Sequence, residues 1–152
     1  MYAKKISVIF LAVISSACQL FNNQSISTEN SLELTSISPL APKAVSESTV
    51  IEATFKYSIK NYEKDKYYII AQFDTCTPDL TYDGDMPKSE YAYPQSANGE
   101  ISFKFPMKYV WGQEIISHPY KVRFFLNRVI DEESSQPVAQ TGPVIYVPEI
   151  KK

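Results

Sequence analysis

Histidine occurs once in the 152 residues, tryptophan once, cysteine twice and glycine four times. Each scarcity closes a class of chemistry. A structural zinc site takes three or four His, Cys or carboxylate ligands, and His118 with a spare thiol does not supply them. Hydrolytic triads place a base beside a nucleophile. Ser117 adjoins His118, but neighbours on a strand or loop point apart, and His118 reads as a loop residue stacked on its surroundings. Gly84, Gly99, Gly112 and Gly142 all stand alone, so there is no Gly-x-Ser-x-Gly elbow. No pattern selects a carboxylate pair for cleaving sugars. The expectation is a protein that is not an enzyme and has no cofactor. An excess of one charge is missing too. Fifteen Lys and Arg meet 17 Asp and Glu, so there is no basic field and no nucleic-acid partner is expected. Two cysteines give no disulfide framework, and the core must be held by burial. Cys76 reads as a small buried or half-buried hydrophobe.

Long hydrophobic runs are also absent. The longest, residues 6–14, is too short to cross a hydrocarbon core of roughly 30 Å as a helix. It follows Lys4 and Lys5 and precedes Ser15, Ser16, Ala17 and Cys18, the three parts of a secretory signal. Small, small, Cys after such a run resembles the lipobox of bacterial lipoproteins. Ser16, Ala17 and Cys18 take the matching places; Ser15 stands where an aliphatic residue is usual. The resemblance implies removal of residues 1–17 as a signal peptide and lipidation of Cys18 as the new first residue. It also implies that the membrane is a partner through that lipid. One acyl chain anchors marginally and several hold firmly. Gln19, where Asp would retain a Gram-negative lipoprotein in the inner membrane, points to the outer membrane of a bacterial cell envelope. Ordinary cleavage near Ala17, leaving a free secreted protein, is the other reading. Loss of Lys4 and Lys5 leaves 13 cationic against 17 anionic side chains, a net charge of −4.

Residues 18–44 read as the lipidated N-terminus and a flexible tether, rich in Ser and Thr and poor in large apolar side chains. As a random coil it reaches roughly 25–30 Å. Within it, Ile37 to Leu40 have the makings of a first edge strand. From residue 45 the pattern changes to period two. Ile51, Ala53, Phe55, Tyr57 and Ile59 alternate with Glu52, Thr54, Lys56 and Ser58. Tyr67, Ile69, Ala71 and Phe73 alternate with Tyr68, Ile70, Gln72 and Asp74. A short strand at Tyr91, Ala92 and Tyr93 runs into Pro94, which suits an edge. Asn98 and Gly99 signal a tight turn. Ile101, Phe103, Phe105 and Met107 follow, then Tyr120, Val122, Phe124 and Leu126 alternating with Lys121, Arg123, Phe125 and Asn127. Residues 131–137 form a polar turn before a last strand near 144–147. No segment keeps a helical period. The fold class expected is all-β, an antiparallel β-sandwich of about seven strands over residues 45–148, with residues 149–152 as a tail. Pro119 to Phe124 resembles the sixth strand of fibronectin type III and immunoglobulin-like domains. There a tyrosine, here Tyr120, bonds through its hydroxyl back to the backbone. The resemblance implies an immunoglobulin-like sandwich, without the Cys–Trp–Cys pattern of true immunoglobulin domains.

The sandwich register puts Tyr68 and Ile70 on the outer side of one strand and Lys121, Arg123 and Phe125 on that of its probable neighbour. Contiguous exposed apolar area and Tyr, Phe and Arg mark binding surfaces, so Tyr68, Ile70, Arg123 and Phe125 are the candidate ligand-binding residues. A protein or glycan partner is expected. The alternatives are that cationic stems cover the rings or that loop 75–89 folds over them. Asp79, Asp83 and Asp85 share that loop. Calcium takes 6–8 oxygens, and these three are the candidate metal ligands, against a plain solvated acidic loop. The functional expectation is a non-enzymatic, membrane-anchored lipoprotein acting as a binding or adaptor module. The alternative is an assembly helper similar in size and strand rhythm to pilotin-like chaperone lipoproteins. Such helpers take up a partner strand at an open edge, here near residues 91–93 or 144–147.

Overall fold

The computed structural model describes residues 29–149. The signal-like run and Cys18 lie outside the described residues. Eight strands form: β1 (Ser31–Ser38), β2 (Ala44–Val45), β3 (Val50–Ser58), β4 (Tyr67–Asp74), β5 (Thr81–Tyr82), β6 (Asn98–Pro106), β7 (Tyr120–Val129) and β8 (Ser135–Pro148). They make two sheets, one in the order β1-β3-β6 and one in the order β2-β8-β7-β4-β5. Every pairing is antiparallel except the short parallel match of β2 with β8. The period-two segments supply the inner faces: Ile51, Ala53, Phe55 and Tyr57 of β3, Phe103 and Phe105 of β6, Ile69, Ala71 and Phe73 of β4, and Val122, Phe124 and Leu126 of β7 are all buried. Aromatic rings bridge the two layers. Phe55 meets Phe124 and Phe73 meets Phe105, each pair with centroids 5.0 Å apart. Both pairs are tilted, at 58° and 46°, which avoids the face-to-face sandwich that aromatic quadrupoles disfavour. The result is an all-β sandwich with one core.

The sheet begins earlier than the sequence pattern suggests. Residues 31–38, expected as tether up to the edge-strand candidate at Ile37, form β1 along most of β3, from Ser31 opposite Ser58 to Ser38 opposite Glu52. Leu32 is 6% exposed, and Leu34 and Ile37 pack on the core. The reason the strand escapes a period-two reading is a bulge between Leu34 and Ser36. A bulge inserts one residue, so inward positions fall at 32, 34 and 37. Thr35, the extra residue, donates its hydroxyl to the Thr54 carbonyl at 3.0 Å. Val45 of β2 is likewise buried.

Three other expectations change. Asn98 and Gly99 do not form a tight turn; they open β6 opposite Ser58 and Tyr57. A Cβ on Gly99 would lie 3.2 Å from the Tyr57 hydroxyl, so the glycine makes room for a neighbouring ring. The last strand starts at Ser135, not near 144, and two register shifts against β7 hide its alternation. One falls at Gly142 (φ +110°), where a Cβ would come 3.0 Å from the Val122 carbonyl oxygen. The turn before it is short, capped by Asp131 accepting the Glu133 and Ser134 N–H groups at 3.0 and 2.8 Å. Tyr120 is buried against Phe73 and Trp111, but among the described residues its hydroxyl bonds no backbone group. Tyr146 makes that kind of tie instead, donating to the Pro39 carbonyl at 2.7 Å and pinning the β1–β2 crossover to β8.

Neither expected open edge is simple. Ala92 joins β4 only through an isolated bridge to Ile69, and the end of β8 is flanked by β2. β6, paired with β3 alone among the described residues, is an open edge there.

Two outcomes follow for stability. Leu32→Ala should destabilise the domain by about 2–4 kcal/mol in urea unfolding, and a chain starting at residue 45 should fail to give a cooperative transition; an unchanged midpoint in both would mean that β1 is dispensable. Burial pushes the Tyr146 hydroxyl up to about 12 from its usual 10.0. Between those pH values the unfolded chain has released this proton and the folded chain keeps it, so stability falls as pH rises. Tyr146→Phe should lose about 1 kcal/mol at neutral pH and show a shallower alkaline decline.

Candidate functional site

Alternation on β4 and β7 sends every second side chain away from the core. The register sets these side by side: Tyr68 opposite Asn127, Ile70 opposite Phe125, Gln72 opposite Arg123. On this outer face lies an open groove of about 980 Å³. Loop 75–81 with Asp83 walls one end, and Ser135, Pro137 and Gln140 of β8 wall the other. The loop is held by the Thr75 N–H donating to Leu80 at 3.0 Å and by the Thr81 hydroxyl donating to Gln72 Oε1 at 2.7 Å. Tyr68 is fixed at the opposite end. Its hydroxyl is hydrogen-bonded with that of Ser135 at 2.7 Å, and its ring stacks on Tyr91 at 5.1 Å, with Tyr93 at 6.4 Å.

All four residues expected to bind a ligand line this groove. One of them is not exposed as expected. Ile70 is only 2% accessible, because its neighbours on both strands close over it; it forms floor rather than surface. Phe125 is half-buried beside it. Arg123 is engaged within the fold: Nε and Nη2 donate to the two Asp74 carboxylate oxygens at 3.0 and 3.4 Å. Such a forked pair fixes both groups in direction and neutralises them locally. Loop 75–89 does not roof the rings; its first part stands as a wall.

Asn127 was not singled out from the sequence, although its outward register position on β7 was legible. It is 5% exposed, flanked by Tyr68 and Pro137 on the adjoining strands, and lines the groove. Among the described residues its side chain has no hydrogen-bond partner. No described buried side-chain polar atom is both sealed from solvent and unsatisfied, so the Asn127 amide reaches water through the groove. Gln140, exposed on β8, adds a second amide.

The acidic loop does not assemble the expected ion site. Among the described residues no group of three or more His, Cys, Asp or Glu is placed to hold a metal. Asp83 and Asp85 are turned to tyrosines instead: Tyr91 donates to Asp83 at 3.5 Å and Tyr82 to Asp85 at 3.1 Å. Asp79 sits at φ +61° in an exposed stretch. Burial raises the Asp83 carboxyl above its ordinary range, partly offset by backbone and Tyr91 hydrogen bonds. Burial, then the Asp83 charge, pushes Tyr91 up to about 12. Cys76 is exposed, not buried. Thr75 takes the inward position before it, so alternation turns the thiol outward, 3.7 Å from the Glu114 carbonyl. Ser117 donates to the Asp74 carbonyl at 3.0 Å, and the His118 ring lies 4.6 Å from that of Tyr120. The serine and the imidazole thus serve different neighbours. Among the described residues no helix is long and apolar enough to cross a membrane.

Comparison with protein-family models, with curated proteins and with solved structures finds no match.

A carboxyl raised by burial is a penalty at neutral pH: the folded state holds its proton to higher pH than the unfolded chain, so stability falls as pH rises through that window. Asp83→Asn is therefore expected to raise the melting temperature at pH 7 and to flatten its decline as pH rises through the raised titration of this carboxyl. A lowered melting temperature at pH 7 would show that the carboxylate is needed in charged form.

Proposed function

We propose that the protein is a non-enzymatic binding module, held at the bacterial envelope by lipid on Cys18, that takes its ligand in the groove on the outer face of β4 and β7. The observation that carries the reading is a convergence. Four residues picked out by alternation alone, Tyr68, Ile70, Arg123 and Phe125, meet in one concavity with a buried amide that has no partner among the described residues. Ligand sites are typically concave, apolar in the floor and furnished with a few oriented polar groups. The small-small-Cys sequence at residues 16–18 supports the anchor. The strand order supports an immunoglobulin-like domain: β1, β3 and β6 oppose β8, β7, β4 and β5, with β2 running parallel beside β8. This is similar to the two-sheet division of that fold. A second reading, the pilotin-like assembly helper, draws on the nine-residue β6, whose outer edge has no partner strand among the described residues.

Two measurements test the proposal. Mass spectrometry of the mature protein should find a diacylated Cys18 at the N-terminus, and Cys18→Ala should release the protein from membranes; an intact, unacylated N-terminus would contradict the anchor. A benzophenone amino acid, which inserts into C–H bonds of peptides and sugars alike, should give a discrete adduct in cells from position 125 and none from position 102 on β6. Adducts from position 102 alone would overturn the groove and favour the assembly helper.

A further inference from the structure

Resting on the groove as the binding site, we infer that its occupant is a neutral oligosaccharide. The first reason is where the groove lies. It lies on the face of the sheet, over β7, which is paired along both sides, and β4, which is paired along one side with β7 and on its far side only with β5 at Phe73 and Asp74 and through the Ile69–Ala92 bridge. An extended peptide gains affinity from a main-chain ladder at an edge, and this face offers none. Recognition here must pass through side chains.

The second reason is charge. The lining holds two cationic side chains, Lys121 and Arg123, against three anionic ones, Asp74, Asp79 and Asp83. Arg123 and Asp74 already neutralise each other through two hydrogen bonds. No unopposed cluster remains to select a phosphate, a polyanion or a polycation.

The third reason is the chemistry of the polar groups. Asn127, 5% exposed and without a partner among the described residues, presents a primary amide to the groove. A primary amide carries two donors and an acceptor. A hydroxyl both donates and accepts, so vicinal hydroxyls match such an amide with paired hydrogen bonds. Gln140 repeats the chemistry on β8. The Gln72 oxygen accepts from Thr81, and its amide nitrogen has no hydrogen-bond partner among the described residues. Between these amides lie the half-buried Phe125 ring and the Ile70 floor, with the Tyr68 ring beside Asn127. Sugar rings have exactly this duality of an apolar C–H face and a hydroxyl rim. A wholly apolar ligand would leave Asn127 desolvated and unpaired, which is costly.

The test uses the mature full-length protein and hexasaccharides of glucose, mannose or N-acetylglucosamine as neutral probes. Oligogalacturonate and fully deacetylated chitosan hexamers serve as charged ones. Binding is read by calorimetry and by chemical-shift changes. At least one neutral hexamer should bind, with shifts at the Asn127 and Gln140 side-chain amides and at Phe125. Its affinity should hold between low and high salt. Asn127→Ala should weaken it about tenfold, as the loss of two neutral hydrogen bonds implies. Gln140→Ala, at an exposed position, should weaken it without altering the fold. Binding of charged hexamers alone, or neutral binding untouched by both variants, would overturn the inference. If no hexamer binds and the adduct at position 125 is a protein, the sugar assignment falls and the groove stands. If no hexamer binds and position 125 gives no adduct, both fall.

Discussion

A one-residue slip of β4 against β7 would turn Ile69, Ala71 and Phe73 outward and carry Tyr68, Ile70, Gln72 and Asp74 into the core. Such slips exchange the two faces of a strand completely. The observed register prevents this by placing Ile69 beside Leu126, Ala71 beside Phe124 and Phe73 beside Val122. Each large side chain fully removed from water is worth roughly 1.5–3 kcal/mol. The register is further locked from across the sandwich, where Phe55 sits on Phe124 and Phe105 on Phe73. The groove inherits its geometry from this core pairing. Because the inner pairs are fixed, Tyr68 must stand beside Asn127, Ile70 beside Phe125 and Gln72 beside Arg123.

The two outer faces of the sandwich differ in kind. On β3 and β6 the outward residues are short or charged: Glu52 pairs with Lys104 at 2.7 Å and Thr54 meets Ser102 at 3.3 Å. Exposed ion pairs of this sort add about 0–1 kcal/mol, and the face is a solvated surface. On β4 and β7 the outward residues include Tyr, Ile and Phe, and the adjoining loop and β8 rise around them. The polar groups there are also better constrained, with Arg123 forked onto Asp74 and Tyr68 tied at its hydroxyl. One outer face is therefore concave, with apolar and constrained polar groups, and the other is solvated and short-chained.

Four strands were legible because their alternation runs unbroken: β3, β4, β6 and β7 each show their inner face in the sequence. β1 and most of β8 were not, for one shared reason. Bulges at Thr35 and around Gly142 shift the inward positions by one, and a period-two reading then finds only polar noise. At the site, Tyr68, Arg123 and Phe125 were legible from the same alternation. The burial of Ile70 was not, since it depends on the heights of neighbouring side chains rather than on its own strand. Asn127 was visible as a polar outward residue, yet its isolation from hydrogen-bond partners arises only when Tyr68 and Pro137 close around it. In the acidic loop, proximity along the chain is not convergence in space: among the described residues no three such groups gather, and Asp83 and Asp85 meet tyrosine hydroxyls. Cys76 was misplaced by composition, which says that free cysteine is usually buried and says nothing of which side of Thr75 it falls.

The most direct test of this account is the exchange rate of the Asn127 side-chain amide protons with water in the unliganded protein. An amide that opens on the groove and lacks a partner should exchange within a few-fold of exposed Gln140, despite being 5% accessible. Strong protection would mean that the side chain is satisfied inside the fold, and the groove would then lose the polar group on which its reading as a binding site rests.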